Sequence, residues 1–271
     1  MAFYRTKLPT HALFSLVSIL FVLLATNINS VQALSFNFTN LYTDNSDITL
    51  QGDAHFLDSG VIALTKSSPF PPDQNFPTVG RALSSTLVPL WDSATGNGVS
   101  FVTSFSFIID TTKSPITDGL IFFIAPPDTV IPINSTTPFL GVVDSQTSIN
   151  RFVGVEFDIY SNSWDPNWRH IGIDVNSIIS TKTVKYNLMS GSLTKVIIIY
   201  DSPSNTLSAV VIYENGKIST IAQVIDLKTV LPNTVQIGLS AATLTGESYH
   251  IHSWSFVSDF GTTTGNIVSE V

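Results

Sequence analysis

Residues 153–176 read VGVEFDIYSNSWDPNWRHIGIDVN, a short segment that holds Glu156, Asp158, Asn162, Asp165, His170 and Asp174. Carboxylate, amide and imidazole groups packed this closely are the material of a cation site. If residues 155–160 form a strand, side chains alternate, so Val155, Phe157 and Ile159 share one face while Glu156, Asp158 and Tyr160 share the other. Two carboxylates roughly 7 Å apart on one face repel each other unless a cation lies between them. The turn that follows brings Asn162 and Asp165 within reach of the same point. Glu156 and His170 suit a transition ion such as Mn²⁺, Asn162 with the carbonyl of Tyr160 suits Ca²⁺, and Asp158 and Asp165 can bridge the two. The plain alternative is a solvated hairpin with surface carboxylates, which composition alone leaves open.

The segment needs a scaffold, and the rest of the chain reads as strands. Residues 100–110 place Phe101, Thr103, Phe105, Phe107 and Ile109 on one face with small or polar groups opposite, a period of two over a whole strand. Similar runs occupy 119–125, 195–201, 207–213, 234–239 and 249–257. Turn residues separate them, among them Gly96-Asn97-Gly98, Pro126-Pro127-Asp128 and Ser202-Pro203-Ser204-Asn205. Only 226–231 reads as a helix, one turn long, because Pro232 stops it. Many short strands without intervening helices predict an all-β fold, a single antiparallel β-sandwich of jelly-roll type.

Arg5 and Lys7 precede an apolar run over 13–25, and Val31-Gln32-Ala33 offers small residues for cleavage. The run falls short of the roughly 20 apolar residues of a membrane span. The expectation is a secretory signal over 1–33 and one domain over 34–271, with an extracellular or vacuolar destination and no membrane span. Once Arg5 and Lys7 leave, ten basic residues face twenty acidic ones. That balance argues against a nucleic-acid partner, which needs a basic face. There is no cysteine, so stability must come from a large core, bound metal or oligomerisation.

Glu156-Phe157-Asp158, then Tyr160, Asn162, Trp164-Asp165-Pro166 and Arg169-His170-Ile171-Gly172-Ile173-Asp174-Val175-Asn176, resemble the metal-binding signature of the legume lectins. The likeness runs along nearly the whole chain, including Ser35-Phe36-Asn37-Phe38, Val88-Pro89-Leu90-Trp91-Asp92 and Ser253-Trp254-Ser255-Phe256. It implies the concanavalin A-like sandwich and a non-catalytic carbohydrate-binding protein whose glycan or glycoprotein ligands meet a site ordered by Ca²⁺ and Mn²⁺. The metal ligands carried over are Glu156, Asp158, Tyr160, Asn162, Asp165 and His170. The sugar contacts carried over are Asp118 as hydroxyl acceptor, Asn162 as amide donor and Tyr160 as stacking ring, with Leu244 and Glu247 as contacts from the fourth loop, 243–248. Homodimers or tetramers joined through a back sheet are further family features.

Two departures stand out. The family's bond before the aspartate is an Ala-Asp bond in cis; here it is Thr117-Asp118, also expected in cis. Pro138 stands where the family carries a glycine whose N–H donates to the sugar, and proline has no N–H. Asn134-Ser135-Thr136 is a glycosylation sequon in that same loop, and Asn37-Phe38-Thr39 is a second. The alternative function is therefore a lectin-like protein with intact metals but weakened or lost monosaccharide binding, acting in storage, defence or protein interaction. An enzyme is disfavoured: sandwich glycosidases of this layout place a further glutamate after the Glu-x-Asp pair, and here Tyr160 and Ser161 follow. His250 and His252 lie on a predicted strand without a nucleophile motif and read as packing or surface histidines.

Overall fold

The computed structural model describes residues 35–38, 46–67, 74–92, 95–111, 116–146 and 151–260. The signal segment and Thr39 of the first sequon lie outside them. In chain order the strands are β1 (Ser35–Phe38), β2 (Ile48–Gly52), β3 (His55–Phe56), β4 (Ile62–Ala63), β5 (Thr78–Ser84), β6 (Val88–Pro89), β7 (Val99–Asp110) and β8 (Gly119–Ala125). They continue with β9 (Val153–Asp158), β10 (His170–Val175), β11 (Lys182–Lys185), β12 (Thr194–Asp201), β13 (Thr206–Tyr213), β14 (Ile218–Val224), β15 (Thr234–Thr243) and β16 (Ser248–Phe260). One helical turn, α1 (Leu227–Val230), is capped by the Asp226 side chain, which accepts from the Lys228 N–H.

All the pairings are antiparallel and form two eight-stranded sheets. The back sheet runs β14-β13-β12-β7-β16-β4-β3, with β1 also on β16; the front sheet runs β11-β10-β9-β8-β15-β5-β2, with β6 also on β15. The expected antiparallel sandwich is therefore present. The expected runs match β7, β8, β12, β13, β15 and β16, while the strand expected to reach Tyr160 ends at Asp158.

The main core lies between the sheets, where Phe105 and Phe107 of β7 meet Phe157 of β9 at ring-centroid distances of 6.0 and 5.2 Å. A second apolar cluster covers the other face of the front sheet. There Ile121, Phe123 and Ala125 of β8 pack with Leu140, Val142, Val143 and Phe152. The segment after β8 thus folds back over its own sheet, and β8 and β9 are buried on both faces. Double-sided burial explains why β8, expected as an alternating strand, is instead the continuous apolar run GLIFFIA. It also decides what becomes of the acidic face of β9, because no water-facing side remains there. Among the described residues no helix is long and apolar enough to cross a membrane.

Candidate metal and ligand site

Three strand ends converge at one edge of the front sheet. Gly119 pairs with Asp158, and Asp158 pairs with His170, so the start of β8, the end of β9 and the start of β10 form a single row. Ala242 pairs with Gly119 from the other side, which brings the loop after β15 to the same place. The Asp118 carbonyl accepts from the Ile159 N–H at 2.9 Å, locking the two loops together. Gly119 is required here, since a Cβ on it would lie 2.6 Å from the carbonyl oxygen of Phe157.

Glu156, Asp158 and His170 are buried, at 1, 7 and 0 % exposure, which removes the solvated-hairpin alternative. One ligand atom from each lies within 4.8 Å of the others. The His170 Nε2 to Glu156 Oε1 distance is 2.8 Å, close to the roughly 3 Å edge between neighbouring donors on one small divalent ion. In the following loop Asp158 Oδ1 accepts from the Tyr160 N–H at 2.7 Å, and Asp165 Oδ2 accepts from the Asn162 N–H at 2.8 Å. Burial first, then the charges of Glu156 and Asp165, push the Asp158 carboxyl well above its ordinary range. Burial and Glu156 likewise raise Asp165. Burial alone would lower His170, but its hydrogen bond to Glu156 and that residue's charge leave it raised.

Among the described residues the ion pairs are Lys66 with Asp53 and His170 with Glu156, so neither Asp158 nor Asp165 has a lysine or arginine partner. Buried carboxylates without basic partners call for a cation. Two carboxylates and one imidazole, from Glu156, Asp158 and His170, meet in one place, a donor set that fits a divalent cation. One neighbour escaped the sequence reading. Ser180 Oγ donates to Asp174 Oδ1 at 2.7 Å and also to Glu156 Oε1, holding the Glu156 carboxylate from behind. Gly172 leaves room for this, because a Cβ there would collide with Ser180 Oγ. A serine in a polar turn gives no pattern that would have singled out Ser180.

Asp118 is 4 % exposed and its backbone is left-handed, with φ of 61°. The expected cis bond at Thr117-Asp118 is absent; among the described residues the cis bond is Thr137-Pro138. The left-handed Asp118 turns the chain into β8 without the roughly 3–4 kcal/mol cost of a cis bond outside proline. Burial first, reinforced by the charge of Glu247 and opposed by the Thr117 hydroxyl and the Leu244 backbone, pushes the Asp118 carboxyl up to about 7.

Glu247, expected as a sugar contact from the fourth loop, is turned away from solvent. It is 0 % exposed. Its Oε1 accepts from the Thr117 N–H at 2.7 Å and from Thr245 Oγ1 at 3.1 Å, and its Oε2 accepts from Thr243 Oγ1. The Thr117 Oγ1 in turn accepts from the Leu244 N–H at 2.8 Å. A carboxylate surrounded by donors from its own loop and from Thr117 is satisfied internally, so it turns inward and braces the peptide before Asp118.

A model of the legume lectin domain matches residues 33–270. The chain belongs to the legume lectin family. The domain is similar to the nodule lectin of Pisum sativum, 82 % identical over 98 % of this chain and 99 % of that one. It is also similar to a non-seed lectin of Pisum sativum, 65 % identical over the full length of both. In three dimensions it superimposes on lectin UEA-II complexed with galactose with a TM-score of 0.78 and 38 % identity, covering 83 % of this chain and 98 % of that one. The family is one of non-catalytic proteins, in line with the missing third carboxylate.

In this lectin domain the remaining expected residues surround the same edge. Tyr160 is exposed, while Asn162, Leu244 and Pro138 are half-buried. Asn134 is exposed four residues before Pro138, and Asn37 is exposed on β1. The Phe139 ring lies parallel to that of Trp164, with centroids 6.4 Å apart, which ties the Pro138 loop to the metal loop. From below, the loop is held by a residue that sequence reasoning missed. Arg81 on β5 is fully buried; its guanidinium donates to the Gly141 carbonyl, 2.7 Å from Nε, and to Thr129 Oγ1, and sits 4.9 Å above the Phe123 ring. Burial pulls its pKa down to about 9. A lone arginine in an apparent strand carried no spacing signal.

Proposed function

We propose that this domain is a non-catalytic, metal-dependent carbohydrate-binding lectin of the secretory pathway, its mature chain beginning after a signal over 1–33. The single observation that carries the reading is the row Gly119, Asp158, His170, which sets Asp118 beside a cluster of acids that lack a lysine or arginine partner among the described residues. Glu156, Asp158, Asp165 and His170 would hold Mn²⁺, and Asp158, Asn162, Asp165 and the Tyr160 carbonyl would hold Ca²⁺, the ions supplying the positive charge that keeps these buried acids ionised. Asp118 accepts hydrogen bonds from a pair of sugar hydroxyls, the Asn162 amide donates one, and the exposed Tyr160 ring offers an apolar face to the sugar. Glu247 and Thr117 keep Asp118 in place while the ligand exchanges. Pre-set donors and acceptors of this kind lower the cost of ordering on binding. Leu244 borders the site from the fourth loop. Glycans on Asn37 and Asn134 complete the expected mature protein.

A second reading has its own support. Pro138 removes a main-chain donor from the third loop, and the exposed Asn134 places a glycan beside it. Under that reading the domain keeps its ions but binds monosaccharides weakly or not at all. A glycan array with and without chelator, on native and deglycosylated protein, separates the two. Chelator-sensitive binding supports the lectin. Silence on both forms, with bound metal confirmed by elemental analysis, supports the alternative.

A further inference from the structure

The edge of the back sheet holds a groove that none of these loops uses. His55, Ala63 and His250 form one row across β3, β4 and β16. In the neighbouring row Ile62 and Ile251 are fully buried in the core, so alternation turns His55, Ala63 and His250 to the opposite face. The two histidines stand two strand spacings apart, roughly 9.6 Å between Cα atoms. Between them Ala63 presents only a methyl group, where a larger side chain would fill the gap. The space is a cavity of about 410 Å³ whose lining includes His55, Ala63, Thr65, Lys66, Phe76 and His250.

The two imidazoles are held differently. His55 Nδ1 lies 2.9 Å from the Asp53 carbonyl oxygen. A carbonyl only accepts, so Nδ1 carries the hydrogen and Nε2 is the ring nitrogen left to meet a ligand, the arrangement that orients histidine ligands in metal sites. His250 is half-buried; burial and the charges of His252 and His55 lower its pKa, against a contrary pull from Asp110. The nearby Lys66 ammonium is paired with Asp53 at 2.6 Å, which offsets its repulsion of a cation.

We propose that His55 and His250 form a site for a borderline divalent transition ion such as Cu²⁺, Ni²⁺ or Zn²⁺, distinct from the acidic site on the front sheet. Imidazole nitrogen suits these ions, and a groove without a carboxylate ligand at its floor disfavours Ca²⁺ and Mg²⁺. The two sites differ in a countable way: the acidic site contains one imidazole, His170, and the groove contains two.

The test is to titrate the full mature protein, loaded with Ca²⁺ and Mn²⁺, with Cu²⁺ at pH 7, and to record electron paramagnetic resonance spectra. The expected result is one tightly bound equivalent whose spectrum shows at least two coupled imidazole nitrogens. H250A should abolish that signal. H55A should leave one nitrogen and weaken binding by more than the ~10-fold typical of losing an outer-shell partner. Thermal melts in chelator establish that both variants fold, and H250Q, which keeps a polar group on the groove face, provides a second variant. A wild-type spectrum with one nitrogen or none overturns the proposal without recourse to variants. So does a two-nitrogen spectrum that survives in both H55A and H250A.

Discussion

The Thr117 N–H points at Glu247 Oε1 from 2.7 Å, and the Thr117 side chain reaches the other carboxylate oxygen at 3.4 Å. One buried carboxylate on the fourth loop therefore fixes the peptide immediately before Asp118. This couples the loop before β8 to the loop after β15. It predicts that Glu247→Ala weakens sugar binding without removing any group that touches sugar. Leaving the Thr117 N–H unsatisfied in the interior costs about 1–3 kcal/mol, seen as a fall in Tm of roughly 2–10 °C for a domain of this size. Calorimetry on the variant, alongside binding measured well below its Tm, checks both effects. Unchanged affinity would show that Asp118 is held by its other contacts alone.

The acid cluster predicts a crossover at Asp158. Glu156 and Asp165 repel its buried charge, so in chelated protein Asp158→Asn removes repulsion and raises the Tm above that of wild type. With Ca²⁺ and Mn²⁺ present the same substitution removes a ligand, and the Tm falls below wild type. Parallel melts in chelator and in metal test the pair of signs, and a fall under both conditions would defeat the electrostatic account.

The same groups set a pH dependence. The carboxyls of Asp118, Asp158 and Asp165 all titrate above their ordinary values in the fold, that of Asp118 at about 7. An acid with a raised pKa binds more protons folded than unfolded, so the stability it allows is present at low pH and is lost as pH rises through the shifted value. Chelated protein is therefore expected to melt at a higher temperature at pH 5 than at pH 8. Saturating Ca²⁺ and Mn²⁺ should reduce or reverse the difference, because ligands must be deprotonated to bind. Melting curves at the two pH values, each with and without metal, provide the measurement.

Pro138 predicts a gain of function. Restoring a main-chain N–H with Pro138→Gly supplies one hydrogen bond to a sugar hydroxyl, about 1–3 kcal/mol, or roughly 5- to 150-fold in affinity. Titration calorimetry with the best array ligand is the readout. An affinity that does not change would shift attention to the Asn134 glycan or to the fourth loop.

What was legible in the sequence divides along physical lines. Period-two alternation marked β7, β12, β13 and β16, because each buries one face. The spacing of Glu156, Asp158, Asp165 and His170 marked the metal cluster, since ligands on one strand and its hairpin neighbour are local in sequence. β5 was harder to read: TVGRALS is broken by Gly80 and Arg81, and its assignment depends on pairing with β15, more than 150 residues away. The contact of Glu247 with Thr117 and the anchoring by Arg81 also rest on contacts distant in sequence. A motif names a residue near the ligand, but only burial and partners tell whether it faces the ligand or supports one that does.

Such support is most direct where the Phe139 and Trp164 rings stack in parallel. Trp164 lies next to Asp165, and Phe139 lies next to Pro138 in the third loop, so under the proposed function ordering of the first loop by ions would be passed to the second through this contact. Stacked aromatic pairs add about 0.5–1.5 kcal/mol beyond the area they bury. Trp164→Ala should therefore loosen residues 136–143 while leaving the acid cluster intact. Hydrogen exchange on metal-loaded protein would then show faster amide exchange at Phe139, Gly141 and Val142, whose N–H groups are bonded within that loop. Metal stoichiometry should stay at the wild-type value. If exchange in the loop is unchanged, the Arg81 anchor alone holds it; if metal is lost as well, Trp164 supports the acid cluster rather than linking it to the loop.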